Sequence, residues 1–207
     1  MDKVLVGVPC MESLPVEYVE SFLGLKKPKG TEVLHDSMSL VYIARERIIG
    51  HAIKNGFTHV MFIDSDMVFP RHTLIDLLAV DKDIVGALAF QRKPPYTPCV
   101  YKKLRFGAPG ESQTEPLTEY DRGVIEVEGI GMGCTLIKTQ VFIDIYKRGV
   151  PCFQPLLGYG EDMSFCLQAR KSGYKIHVNT TIQAGHIGKR ICTEQTYREW
   201  QANEVGA

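Results

Sequence analysis

The groups with the clearest chemical potential are Asp64 and Asp66, which follow the apolar run Val60-Met61-Phe62-Ile63 with Ser65 between them. Four apolar residues in a row read as a buried strand, and the carboxylates stand at its carboxyl end, where open α/β sheets bind their ligands. Alternate residues of an extended chain point the same way, so Asp64 and Asp66 are expected to face one ligand. Two anionic oxygen donors this close repel unless a cation lies between them. A divalent metal holding a phosphorylated substrate accounts for the pair economically. The plain structural alternative is a capped turn, which Asp and Ser also favour.

Two further groups carry reactive side chains. Glu161 and Asp162 follow Gly160 at the start of a predicted helix, and His186 lies within Gly185-His186-Ile187-Gly188. Acidic residues also suit a helix N-terminus on electrostatic grounds alone, and a single histidine near a strand end can be ordinary core or surface. The combination with the two aspartates is what makes all three groups candidates for one site.

Positioning these groups falls to alternating strands and helices. Val4–Val8 reads as a strand ended by Pro9, and Val16–Leu25 as a helix opened by Pro15. Thr31–Leu34 is a second strand with His35, Asp36 and Ser37 beyond its carboxyl end. Ser39 is placed to cap a long helix, Leu40–Lys54, stopped by Asn55-Gly56. His59–Ile63, a short helix at Arg71–Val80 and a strand at Asp83–Phe90 follow. This alternation predicts an α/β fold with right-handed crossovers and a mostly parallel central sheet flanked by helices. Residues 91–122, rich in Pro, Gly and polar groups, read as a substrate-covering loop region with short strands. Beyond them come strands at Val124–Glu128 and Met132–Ile137 and a helix at Thr139–Arg148. A helix at Glu161–Ser172 ends with Gly173 as its C′ residue. Short strands at Tyr174–Val178 and Thr181–Ala184 and a last helix at Thr193–Asn203 complete the chain.

At 207 residues, with 44% hydrophobic and 23% charged, the composition is that of an ordinary globular protein with one sizeable core. Acidic and basic residues number 24 each, which argues against a chain built to grip a nucleic-acid polymer. Six cysteines scattered singly, with no C-x-x-C pair, argue against a zinc ribbon or a dithiol redox site. The chain enters its first strand too soon for a secretory leader, and no apolar run nears the roughly 20 residues that span a bilayer. A reduced, cytoplasmic protein is expected.

The ordered set of Asp64-Ser65-Asp66, then Gly160-Glu161-Asp162-Met163-Ser164-Phe165-Cys166, then His186 resembles compact GT-A-fold glycosyltransferases. It is most similar to the family-2-like nucleotide-sugar transferases, over roughly Val4 to Gly188. The resemblance implies a nucleoside-diphosphate sugar as donor, a sugar or other hydroxyl compound as acceptor, and Mn²⁺ or Mg²⁺ as cofactor. It implies Asp64, Asp66 and His186 for the metal, with Asp66 the direct ligand and Asp64 on the ribose or a metal-bound water. Imidazole among oxygen donors suits Mn²⁺ better than Mg²⁺. It also implies that Asp162 deprotonates the acceptor hydroxyl in an inverting transfer, with Glu161 orienting the acceptor or the loop. Pro9, His35, Asp36, Arg45, Ser65 and Arg92 are the implied donor-binding residues. Gly131, Met132 and Gly133 are the implied floor for sugar or acceptor. Residues 1–90 would then be the nucleotide-binding half of a single domain, 91–190 the acceptor and catalytic half, and 191–207 a C-terminal tail.

Several readings stay open at this level. Where related sequences often show A-R-N, this chain has Ala44-Arg45-Glu46, so Arg45 is either a nucleotide contact or a partner of residues near Glu46. The glycines at 129, 131 and 133 make a close-approach floor or an ordinary bend. Arg92 and Lys93 reach a diphosphate or sit solvated on a loop. Tyr96, Tyr101, Phe106 and Tyr159 stack on a sugar or pack a lid. A retaining transferase and a non-catalytic nucleotide- or glycan-binding module of the same fold are the rival functions. A sugar nucleotidyltransferase is disfavoured, because Gly7-Val8-Pro9-Cys10-Met11 lacks a Gly-rich, Arg-containing phosphate loop. With few residues left to build an acceptor site, a small acceptor is expected, or a partner or second copy that completes the site.

Overall fold

The computed structural model describes residues 2–105, 113–156, 158–188 and 191–205. In chain order the elements are β1 (Val4–Cys10), α1 (Val16–Gly24), β2 (Glu32–Ser37), α2 (Val41–Lys54), β3 (His59–Ile63), β4 (Met67–Val68), α3 (Thr73–Val80) and β5 (Ile84–Ala89). There follow β6 (Val100–Arg105), β7 (Gln113–Pro116), β8 (Val124–Val127), β9 (Gly129–Ile130), β10 (Cys134–Lys138) and α4 (Thr139–Lys147). The chain ends with α5 (Glu161–Lys171), β11 (Ile176–Ile187), β12 (Ile191–Cys192) and α6 (Glu194–Val205).

The main sheet runs β12-β11-β5-β10-β3-β1-β2, with β4 and β8 also paired to β11, while β7-β6-β9 form a small second sheet. β1 is parallel to both β2 and β3, and β5 is parallel to β11. β10 lies antiparallel between β3 and β5, so those two point the same way. Five strands therefore direct their carboxyl ends to one side, and every candidate carboxylate in the first 90 residues lies there.

Both faces of this mostly parallel sheet are covered. Val4, Val6 and Val8 of β1 and Met61 and Ile63 of β3 pack with Tyr18 of α1 and Leu74 and Leu77 of α3. Leu5, Val60 and Phe62 face the other way, onto Ile48, Ile49 and Ala52 of α2, Phe142 of α4 and Phe165 of α5. Burying each such side chain contributes about 1.5–3 kcal/mol, so a strand between two helical layers reads as an unbroken apolar run.

Several boundaries differ from expectation for local reasons. β2 continues through His35 and Asp36 because its pairing with β1 extends to Ser37 opposite Cys10. Ser39 does not cap α2. Leu40 is the N-cap residue, and the Ser39 hydroxyl donates instead to Asp36 Oδ1 at 3.0 Å. The two short strands expected after Gly173 are one, β11, whose register against β5 shifts between Asn179 and Gln183. Residues 91–122 contain β6 and β7, whereas Phe106 lies outside the described residues. Glu46 fastens the segment between α4 and α5: its carboxylate accepts the Phe153 N–H at 2.6 Å and the Tyr146 hydroxyl. Among the described residues no helix is long and apolar enough to cross a membrane, and all six cysteines are free thiols.

Candidate active site

The chain turns rather than extends through Asp64-Ser65-Asp66. The Asp64 N–H donates to the Gly133 carbonyl at 2.9 Å, and the Met67 N–H folds back to the Asp64 carbonyl at 3.1 Å. The two carboxylates pair with different cations, although both border one cavity. Asp64 Oδ1 accepts from Arg45 Nη2 at 2.8 Å. Asp66 Oδ2 accepts from Arg92 Nη1 at 2.8 Å and lies 3.2 Å from His186 Nε2. The strand pair β4–β11 makes the second arrangement possible: Met67 pairs with His186, and the Ile187 N–H donates to the Asp66 carbonyl at 2.7 Å. This pairing requires a glycine at 185, since a Cβ there would meet Val68 and Ile191 at 2.7 Å.

Arg45 joins the aspartate turn to the start of α5. It is only 2% exposed and lies over the Phe62 ring, its guanidinium carbon 5.2 Å from the centroid. Besides Asp64 it reaches Glu161 Oε1 from Nε at 3.4 Å, while Nη1 is buried without a hydrogen-bond partner. In this placement Arg45 pairs with the two acidic motifs. Beside it, Asp162 Oδ1 accepts the N–H of Met163 at 2.7 Å. Burial and the neighbouring Glu161 charge push the Asp162 carboxyl up to about 6, against the opposing pull of that N–H and of Arg45. Burial likewise raises Asp64, opposed by Arg45. For Asp66 burial acts upward too, but the hydrogen bond and charge of His186, with Arg92, prevail and hold it below the usual carboxylate value.

These groups border two adjoining cavities. An outer one of about 390 Å³ is lined by Pro9, Cys10, Met11, Ser39, Val41 and Arg92, together with all of Asp64-Ser65-Asp66. An inner one of about 130 Å³ is lined by Arg45, Asp64, Glu161, Asp162 and His186 and floored by Gly131, Met132 and Gly133. Asp64 belongs to both and forms part of the wall between them. A side chain at Gly133 would crowd the wall, its Cβ 3.3 Å from Asp64 Oδ2, whereas a Cβ on Gly131 would lie in ordinary contact 3.8 Å from Asp162 Oδ2. Of the expected nucleotide residues, Pro9, Ser65 and Arg92 line the outer cavity, whereas Arg45 lines the inner one. His35 packs its ring 5.8 Å from Phe22, and Asp36 holds Ser39. Tyr101 borders the inner cavity, and the Tyr159 hydroxyl donates to the Arg105 carbonyl at 2.8 Å.

Sequence reasoning missed Cys99, Met67, Ala87 and Ala89, which line the inner cavity, and the segment after β1 that lines the outer one. Burial and then the charge of Asp162 push the Cys99 thiol up to about 12, which makes it a neutral wall rather than a nucleophile. Ala89 and the residues after β1 lie at carboxyl strand ends and were findable by that rule.

The donor chemistry fits a divalent cation at Asp66 and His186. A carbonyl oxygen can only accept, so the 3.0 Å contact from His186 Nδ1 to Phe90 O places a hydrogen on Nδ1. Nε2 then faces the Asp66 carboxylate, and two such groups need a proton or a cation between them. Among the described residues no three His, Cys, Asp or Glu side chains form a complete metal cluster. Two protein donors, with further ones from a ligand, match a site that is open toward its substrate.

No protein-family model and no curated protein matches the chain. Among solved structures it is similar to A197 from STIV, with a TM-score of 0.63 and 19% identity over 90% of this chain and 86% of that one. It is also similar to GalNAc-T7 crystallised with UDP, GalNAc and Mn²⁺, with a TM-score of 0.63 and 13% identity. That match covers 96% of this chain but 47% of the other, so the chain spans about half of that relative's length. At such identities the likeness establishes the fold: mixed α/β, structurally similar to GT-A glycosyltransferases.

Proposed function

We propose that the protein is a metal-dependent glycosyltransferase that moves a sugar from a nucleoside-diphosphate sugar to an acceptor hydroxyl with inversion. The observation that carries this reading is the shared wall. Asp64 borders both an outer cavity sized for a nucleotide, which Ser65 and Asp66 also line, and an inner one holding a carboxyl raised to about 6. A bound divalent cation at Asp66 and His186 would neutralise charge on the departing diphosphate. The outer cavity pairs the apolar Pro9, Met11 and Val41 with the hydroxyls of Ser39 and Ser65, a lining suited to a nucleoside.

Asp162 is the base in this reading. Its Oδ1 is committed to the Met163 N–H, which leaves Oδ2, on the Gly131 side, to receive the proton. As the acceptor oxygen bonds to the anomeric carbon, the bond from that carbon to the diphosphate breaks and the acceptor proton passes to Oδ2. Arg45 and Glu161 hold the start of α5 against the aspartate turn. A base with a carboxyl near 6 is ionised at neutral pH yet close enough to it to take the proton efficiently.

The direct test is release of nucleoside diphosphate from a panel of UDP-, GDP- and other sugar nucleotides with Mn²⁺, Mg²⁺ or EDTA. Release from one donor is expected to require the metal and to fall at least 10²-fold in Asp66→Ala. If no sugar nucleotide binds even with Mn²⁺, the reading is wrong. Gly133→Ala checks the floor. Its Cβ would press on Met67 Sδ at 3.2 Å as well as on Asp64. Transfer is expected to drop about tenfold through misplacement of the wall. Thermal unfolding should change by no more than about 1 kcal/mol, because Met67 is flexible enough to yield.

A further inference from the structure

Asp66 spends one oxygen on two partners. Oδ2 lies 2.8 Å from Arg92 Nη1 and 3.2 Å from His186 Nε2. It is therefore the atom a cation shared with His186 would take. Arg92 also lines the outer cavity beside Ser65, and its side chain is 53% exposed. Its backbone is anchored separately, since the carbonyl accepts from the Cys192 thiol at 3.7 Å. The guanidinium can thus move without disturbing the chain that carries it.

We propose that Arg92 is an exchangeable counter-ion, holding Asp66 in the free protein and passing to the donor's diphosphate when a divalent cation takes that oxygen. The inference rests on the transferase reading above. A guanidinium and a divalent cation on one carboxylate oxygen repel each other, so a metal arriving alone must displace Arg92 into water. A diphosphate in the outer cavity removes that penalty, because its oxygens match the guanidinium fork as well as a carboxylate does. Metal and nucleotide then bind cooperatively, and by linkage each raises the affinity of the other by the same factor. The protein thereby keeps a low affinity for free metal and a high one for the metal with its donor. A fixed brace predicts the opposite dependence, since an Arg92 that only oriented Asp66 would help the metal bind.

The test is titration with Mn²⁺, free Mn²⁺ being read by electron paramagnetic resonance, with and without UDP or GDP. In the wild type a nucleoside diphosphate is expected to tighten Mn²⁺ binding. In Arg92→Met, Mn²⁺ alone is expected to bind about threefold to tenfold tighter, the scale of a partly exposed charge pair released. The enhancement by the diphosphate should shrink by a similar factor. Arg92→Gln should shift both quantities in the same direction, which keeps the result independent of how one variant folds. Unchanged or weaker Mn²⁺ binding in both variants would overturn the exchange while leaving the transferase reading intact. A wild type that binds no Mn²⁺ with any nucleoside diphosphate would instead remove the transferase reading, and the exchange with it.

Discussion

Asp162→Asn is expected to abolish transfer and stabilise the fold at the same time. The loss of a positioned base costs about 10²–10⁴-fold in rate. The asparagine keeps the shape, and its carbonyl oxygen can still accept the Met163 N–H that Oδ1 accepts now. Nucleotide binding should therefore survive. The stability gain follows from linkage. An acid whose folded value is raised, here to about 6, leaves the folded state less stable as pH climbs from the unfolded value through the folded one. Asparagine has no such loss. Unfolding by urea should show the two proteins alike below about pH 4, with the variant ahead by on the order of 2 kcal/mol at pH 8. Wild-type transfer should fall tenfold per unit as pH drops below about 6, where Asp162 takes up its proton. A residue placed for packing alone would lose stability on substitution and leave the pH profile flat. Retained transfer in Asp162→Asn would end its role as base.

What the sequence conveyed of this arrangement divides along physical lines. The run Val60–Ile63 is buried on both sides, and its span as β3 was legible because it is too short for a helix and is followed at once by the turn-forming Asp64-Ser65-Asp66. The start of α5 was legible for the same kind of local reason, since Gly160, Glu161 and Asp162 combine a turn residue with charges suited to a helix N-terminus. Long-range pairing was not. β4 has two residues, too few for any periodicity, yet its ladder with β11 carries His186 to Asp66. The break expected at Asn179-Thr180 is an irregularity in register, which polar composition cannot distinguish from a loop. Asp64 and Asp66 were read as extended, whereas a backbone hydrogen bond from Met67 to Asp64 turns the chain there, with both side chains still bordering one cavity. Arg45 was read as a nucleotide contact or a partner of residues near Glu46. Its burial depends on two carboxylates from distant segments, which no local pattern announces.

That burial makes Arg45→Met the variant with the largest expected cost to folding. Methionine fills similar volume over Phe62 but supplies no charge, so Asp64 and Glu161 remain partly buried without their shared cation. Breaking a buried pair from one side costs about 3–5 kcal/mol, because the stranded charge keeps its desolvation penalty. The sign of the pH dependence separates this from a packing defect. Asp64 is already raised by burial, with Arg45 pulling it down, and without Arg45 it rises further. The folded variant therefore takes up a proton more readily than the unfolded chain. Its deficit against the wild type should be greatest at pH 8 and should narrow as pH falls toward 5. A cavity or strain would give a deficit independent of pH. Adding Asp64→Asn to Arg45→Met should restore part of the stability by removing one stranded charge, whereas Asp64→Asn alone should destabilise the wild type by leaving Arg45 half-paired. The acid limb of any residual transfer should also move upward from about 6, since Arg45 is one of the groups holding Asp162 down. Stability and activity would then shift together through one guanidinium that touches both acidic motifs, which is how a buried side chain on α2 can govern a proton transfer at the start of α5.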